Sequence, residues 1–178
     1  MQELFKSITG SKESLIFSEP IIQDNFLSTG FQALHSAILE KETTLSKTEL
    51  FYFFISELLA NLVEIPSVSI TDKYKIKLNE IKKFLEINCS QTIVLEALSD
   101  LSGLNKYTLI RTFTKQFGLT PYQYVQTMRI KTAKELLAKG SNLSETGLSV
   151  GFSDQSHFTR VFKMLIGVTP KQYQAIFK

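Results

Sequence analysis

The apolar positions of this chain fall into two regimes. Between residues 46 and 63 they crowd together: Leu50, Phe51, Phe53, Phe54, Ile55, Leu58, Leu59, Leu62 and Val63. The pattern predicts a helix, and the apolar set is too wide for a single stripe, so this helix needs more than one partner. Ser46-Lys47-Thr48-Glu49 opens it as a capping box, in which hydroxyl and carboxylate satisfy free N–H groups of the first turn. A preceding helix over about 24–41 offers Leu27, Phe31, Leu34 and Ile38 as one partner face. Two helices in so short a stretch leave apolar surface over, which predicts self-association through 44–63, with Phe51, Phe54, Ile55, Leu58 and Leu62 at the contact. The first twenty residues carry short β-prone pieces broken by Gly and Ser, too few to close a sheet and suggestive of the end of a larger β domain.

Beyond Pro66-Ser67-Val68-Ser69 the stripes narrow and the punctuation sharpens, so a linker is placed at 66–72. Displacing the second half by 49 residues aligns RTFTKQFGLTPYQY (111–124) with RVFKMLIGVTPKQY (160–173), identical at seven of fourteen positions. One supersecondary unit is therefore used twice. In the first copy a short helix from Leu95 to Ser102 is followed by the turn Gly103-Leu104, and Asn105 caps a helix running to about Phe117. In the second, Leu143–Val150, the turn Gly151-Phe152 and a cap at Ser153 precede a helix to about Ile166. Helix, tight Gly turn and helix with a polar outer face make a helix-turn-helix. Each copy closes on Gly118 or Gly167, then Thr120-Pro121 or Thr169-Pro170 as N-cap and first helical residue.

Within the second copy Phe158, Val161, Phe162 and Leu165 form the apolar stripe, while Gln155, Ser156, Thr159, Arg160 and Lys163 occupy the remaining face. Short and forked hydrogen-bonders of this kind suit base edges and phosphates. The copies are joined by PYQYVQTMRIKTAKELLAKG, a helix over about 121–139 with Val125, Met128, Ile130, Ala133, Leu136 and Leu137 as its stripe. Eighteen helical residues span about 27 Å. Successive major-groove segments on one face of B-DNA lie about 34 Å apart. A rod of that length, plus the offsets of the two units, suits the spacing.

Charge sharpens the picture. Residues 1–72 carry 4 Lys and 10 acidic residues, net −6, whereas 73–178 carry 16 Lys and Arg and 7 acidic residues, net +9. The second half is thus directed at a polyanion. No apolar run is long enough to span a membrane, and the N-terminus has no apolar core of signal-peptide type. The single cysteine, Cys89, cannot form an internal disulfide and reads as a structural thiol of a reducing, cytoplasmic compartment. Asp154, Ser156 and His157 are too close on one helix to converge as a catalytic triad. His35 reads as a surface or packed imidazole, and no phosphate loop, paired His/Cys set or HExxH occurs. These residues predict no enzyme, no cofactor and no metal.

With both units and the linker in place, GFSDQSHFTRVFK…GVTPKQY, LEALSDLSGLNKYTLIRTFTKQFGLTPYQY and RIKTAKELL resemble the AraC/XylS family of transcription regulators over about 76–177. A weaker similarity over 20–65 matches the family's helical dimerisation segment; most of its effector-binding β-barrel has no counterpart, as in a fragment or short form. The resemblance implies an all-α fold: a remnant with a helical hairpin-like dimerisation segment (1–65), the linker, and a DNA-binding domain (73–178) with units at about 76–118 and 143–177. It implies base reading by Tyr107, Ile110 and Arg111 in the first unit and by Gln155, Ser156 and Arg160 in the second. Phosphate contacts fall on Lys106, Thr108, Lys115, Thr159 and Lys163, and Phe113 and Phe162 on the core. Implied partners are double-stranded DNA, a second copy of the chain and RNA polymerase. Ser99 and Gly147 replace the family's usual Ala, and Gln174 its Arg after Tyr173; Gly147 should loosen its helix by about 1 kcal/mol relative to Ala. The rival reading is a helical interaction module that binds and modulates another regulator, which would not need exposed Arg111, Gln155 and Arg160.

Overall fold

The computed structural model describes residues 25–39, 47–52, 54–55, 58 and 72–177. Among them every regular element is helical: α1 (Asn25–Leu39), α2 (Asp72–Asn88), α3 (Leu95–Ser102), α4 (Lys106–Phe117), α5 (Pro121–Ala138), α6 (Leu143–Ser149), α7 (Gln155–Ile166) and α8 (Pro170–Ala175). The described residues between 47 and 58 are also helical. Ser46, the β-prone first twenty residues, Leu62 and the linker up to residue 71 lie outside the described residues.

The chain divides into two compact units, one of residues 1–79 and 94–120, the other of 80–93 and 121–178. In the first, Leu95, Leu98, Leu109 and Phe113 are fully buried, and Phe117 stacks obliquely on Phe113 at 4.6 Å between ring centres. Asn105 caps α4 as its sequence position predicts, its side-chain oxygen accepting from the Thr108 N–H at 2.8 Å. Gly103 and Gly118 close α3 and α4 in the left-handed conformation. Ser99, where Ala is usual, donates its hydroxyl to the Leu104 carbonyl at 2.5 Å and so secures the turn. Phe54 packs on Phe31 of α1 at 5.8 Å, joining the two N-terminal helices.

The second unit is built around Ile130, Ala133 and Leu137 of α5, Val150, Phe152, and Phe158, Val161 and Phe162 of α7, with Tyr173 of α8 edge-on to Phe162. Thr169 and Gln172 form the capping box of α8 behind Pro170. Three expectations are corrected. The cap of α7 is Asp154, not Ser153: its carboxylate accepts from the His157 N–H at 2.8 Å, and the Ser153 hydroxyl donates to that carboxylate at 3.1 Å. Both side chains suit a cap, and the extended backbone at Asp154 (φ −156°, ψ 164°) is what aims its carboxylate at the first turn. Leu165 is 43% exposed, because the last turn of α7 sets Ile166 rather than Leu165 against the core. Gly147 does not simply loosen α6: a Cβ there would lie 3.1 Å from the Phe158 ring, so the glycine lets a fully buried aromatic side chain approach.

Gly151 shows the same logic on the backbone. Its φ of +101° bars other residues, and a Cβ would stand 2.5 Å from the Ser90 carbonyl oxygen. The turn entering α7 therefore seats directly on the loop after α2. Gln174 donates to the Ser141 carbonyl at 2.7 Å, a tie between α8 and the end of α5.

Candidate nucleic-acid interface

The outer face of α7 carries the exposed side chains Gln155, Ser156, Arg160 and Lys163, with Thr159 half-buried beside them, and Asp154 occupies the N–H groups of its first turn. The opposite face, Phe158, Val161 and Phe162, is wholly engaged in the core, so the orientation of the polar row is fixed by packing. Asp154 adds rigidity. Its carboxyl is held below its ordinary value chiefly by the His157 N–H and then, against the opposing effect of burial, by the Ser153 hydroxyl. His157 turns inward, edge-on to Phe152 at 5.2 Å with Nε2 3.4 Å from the Tyr122 hydroxyl, whereas Ser156 points out. The two cannot share a reacting atom.

The corresponding helix α4 is arranged differently. Arg111 is half-exposed, with Nη1 donating to the Tyr107 hydroxyl at 2.9 Å and the guanidinium 6.0 Å from that ring. Tyr107 and Ile110, expected to stand open to base edges, are 4% and 2% exposed. The expected base-reading row is therefore brought together in the second unit, and in the first only Arg111 keeps solvent access. Among the expected phosphate contacts Lys115 is exposed and Thr108 half-buried. Lys106 is bound to Glu96, whose carboxyl is lowered mainly by that bond and then by its own backbone N–H in the first turn of α3.

Sequence reasoning missed Arg129. It is buried, donates from Nε to the Cys89 carbonyl (2.6 Å) and from Nη2 to the Gln91 carbonyl (2.9 Å), and lies 5.7 Å from the Phe152 ring. Burial pulls its pKa down. It holds the loop after α2 against α5, near the Ser90 carbonyl on which Gly151 seats. The only sequence signal was a cation inside the apolar stripe between Val125 and Ala133. Among the described residues no cluster of His, Cys, Asp and Glu could hold a metal, and no helix is long and apolar enough to cross a membrane.

The model of a helix-turn-helix domain matches residues 98–176. Over 99 residues the chain is 33% identical to the probable transcription factor PqrA of Proteus vulgaris, covering 54% of this chain and 81% of PqrA. A crystal structure of a transcriptional regulator with an AraC-type DNA-binding domain from Chromobacterium violaceum superposes with a TM-score of 0.52 at 25% identity, covering 57% of this chain and 91% of that one. The chain belongs to the AraC family of helix-turn-helix transcription regulators. Likeness to the HTH-type transcriptional regulator YbfI of Bacillus subtilis (strain 168) extends further, at 38% identity over 157 residues, 88% of this chain and 57% of YbfI. The chain spans about half the length of the curated relatives it matches. As an AraC-type regulator it places one helix-turn-helix in each compact unit, α3–α4 in the first and α6–α7 in the second.

Proposed function

We propose that this AraC-type regulator reads a specific DNA site by inserting α7, and in turn α4, into successive major-groove segments. The observation that carries the reading is the outer face of α7: Gln155, Ser156 and Arg160 stand exposed on a helix whose other side is locked into a phenylalanine core. The forked guanidinium of Arg160 suits a guanine edge, and the Gln155 amide suits an adenine. Thr159 and Lys163, with Lys115, Thr108 and Lys106 from the first unit, supply phosphate contacts that set register. Arg111 reads from α4, and Tyr107 and Ile110 join it once their face is open. The net +9 of residues 73–178 supports the same reading.

The regulator acts in the cytoplasm as a homodimer, in contact with RNA polymerase and without catalysing a reaction. The exposed Phe31, Ile38, Leu39 and Phe51 are the apolar surface available for pairing. Phe54 is half-buried against Phe31 of its own chain and supports the contact from beneath, with Ile55 and Leu58. DNA binding is assigned to residues 73–178, and pairing to the helical residues before them. Selection of bound duplexes from a random pool tests the reading: a recovered motif is expected, and recovery of no motif, or binding indifferent to sequence, overturns it.

A further inference from the structure

The 49-residue repeat sets Tyr107 against Ser156, Ile110 against Thr159 and Thr114 against Lys163. On α7 this row is open: Ser156 and Lys163 are exposed and Thr159 half-buried. On α4 it is closed, with Tyr107 and Ile110 buried and the Thr114 hydroxyl out of reach of solvent. The closure does not come from the helix-turn-helix core. That core takes Leu109, Thr112 and Phe113, and at about 100° per residue Tyr107 and Thr114 fall about 140–160° away from Leu109. A helix buried on two opposed sides has a second cover.

Lys106 locates it. Its ammonium, one residue from Tyr107, lies 5.9 Å from the ring centre of Tyr52, among the helical residues 47–52 of the same compact unit. Glu49, one turn earlier, is 2% exposed. Glu49 and Tyr52 share one face of that segment. Phe54, Ile55 and Leu58, which follow it, occupy another, where Phe54 meets α1. These helical residues thus have two working faces, which accounts for apolar residues too widely spread for one stripe.

We propose that the outer face of the first recognition helix is a docking surface for helical residues 47–52 of its own chain, and that this segment and DNA compete for it. The chemistries match: an aromatic and aliphatic row flanked by Lys106 and Arg111 receives an aromatic and acidic face from a half of the chain whose net charge is −6. The contact is imperfect in a way that favours exchange. It leaves the Thr114 hydroxyl buried without a hydrogen-bond partner, a state that water or a phosphate oxygen would relieve. With the segment seated, α7 engages DNA alone; with it displaced, both helices read.

The competition rests on the DNA reading above, whereas the docking does not, so the test has two arms on the full chain. In a Cys89→Ser background, single thiols are placed by Thr114→Cys on the covered face, Lys163→Cys on its open counterpart and Thr112→Cys in the core, and their reaction with a maleimide is timed. Thr114→Cys should react at least about tenfold more slowly than Lys163→Cys. Adding Tyr52→Asp should raise its rate about tenfold, leaving Thr112→Cys slow. Equal rates for Thr114→Cys and Lys163→Cys, or no response to Tyr52→Asp, overturn the docking. Should Thr112→Cys accelerate as well, Tyr52→Ser replaces the aspartate, and a Thr114→Cys rate that cannot be raised separately also overturns it. On a selected duplex, Tyr52→Asp should bind about tenfold more tightly, as expected when a competent state of about one tenth becomes dominant. Its footprint should extend from one major-groove segment to two. Unchanged affinity and footprint overturn the competition alone; loss of specific DNA binding by every variant overturns the DNA reading and leaves the docking standing.

Discussion

Arg160 and Phe162 sit two residues apart on α7 and separate reading from packing. Arg160 is exposed, so Arg160→Ala should change stability by no more than about 0.5 kcal/mol. It should nonetheless remove roughly 1–3 kcal/mol of discrimination at one base pair, seen in competition between selected and scrambled duplexes. Phe162→Ala should do the reverse, with a loss of about 3–5 kcal/mol in thermal or urea melts, because the ring is fully buried against Phe158 and Tyr173. Asp154 adds a pH dependence. Its folded carboxyl titrates below its ordinary value of 3.8, so its stabilisation is complete above that value and is lost as pH falls through the lower folded one. Asp154→Asn caps comparably without titrating, and its melts should show a shallower loss of stability on acidification. The core members of α7 were legible in sequence because helical period alone marks Phe158 and Phe162. Tyr107 was not: whether a residue opposite the core meets solvent depends on a helix more than fifty residues earlier, which no local period encodes.

At the scale of elements, helix limits followed their punctuation closely, since Asn105, Gly118, Thr169 and Pro170 each act within one turn of their own position. The cap of α7 was misplaced by one residue because Ser153 and Asp154 both suit the role, and only the backbone decides which carboxylate or hydroxyl meets the His157 N–H. What sequence could not give is why two glycines are glycines. Gly151 combines φ of +101° with the Ser90 carbonyl oxygen 2.5 Å from where a Cβ would stand. Gly151→Ala should therefore cost about 2–4 kcal/mol, backbone strain of about 1–3 kcal/mol together with displacement of the Ser90 loop. Gly147 faces a ring instead of a carbonyl. Helix propensity favours alanine by about 1 kcal/mol, and overpacking against a buried phenylalanine opposes it by about 1–3 kcal/mol. Phe158 is enclosed by Phe152 and Phe162 and has little room to retreat, so Gly147→Ala should come out destabilised in melts.

Across the whole molecule the opposed charges of the two halves tie fold to function. An acidic helical segment that docks on a basic recognition helix, and a basic half that neutralises phosphates, draw on the same electrostatics, and salt weakens both. Affinity for DNA should fall linearly on logarithmic axes, with a slope of about −0.9 for each phosphate neutralised. Lys163→Ala should make the slope shallower by about 0.9 and weaken specific and scrambled duplexes alike, since Lys163 lies on the open face beyond the base-reading row. Opening the first unit adds Arg111, so Tyr52→Asp should steepen the slope by about 1 unit while tightening binding at low salt. The two variants thus move the slope in opposite directions. Titrations from low to physiological salt, with wild type and both variants on one duplex, measure it. A slope near zero for wild type would remove phosphate neutralisation from the account; equal slopes for wild type and Tyr52→Asp would mean that the first recognition helix meets DNA no better without its cover.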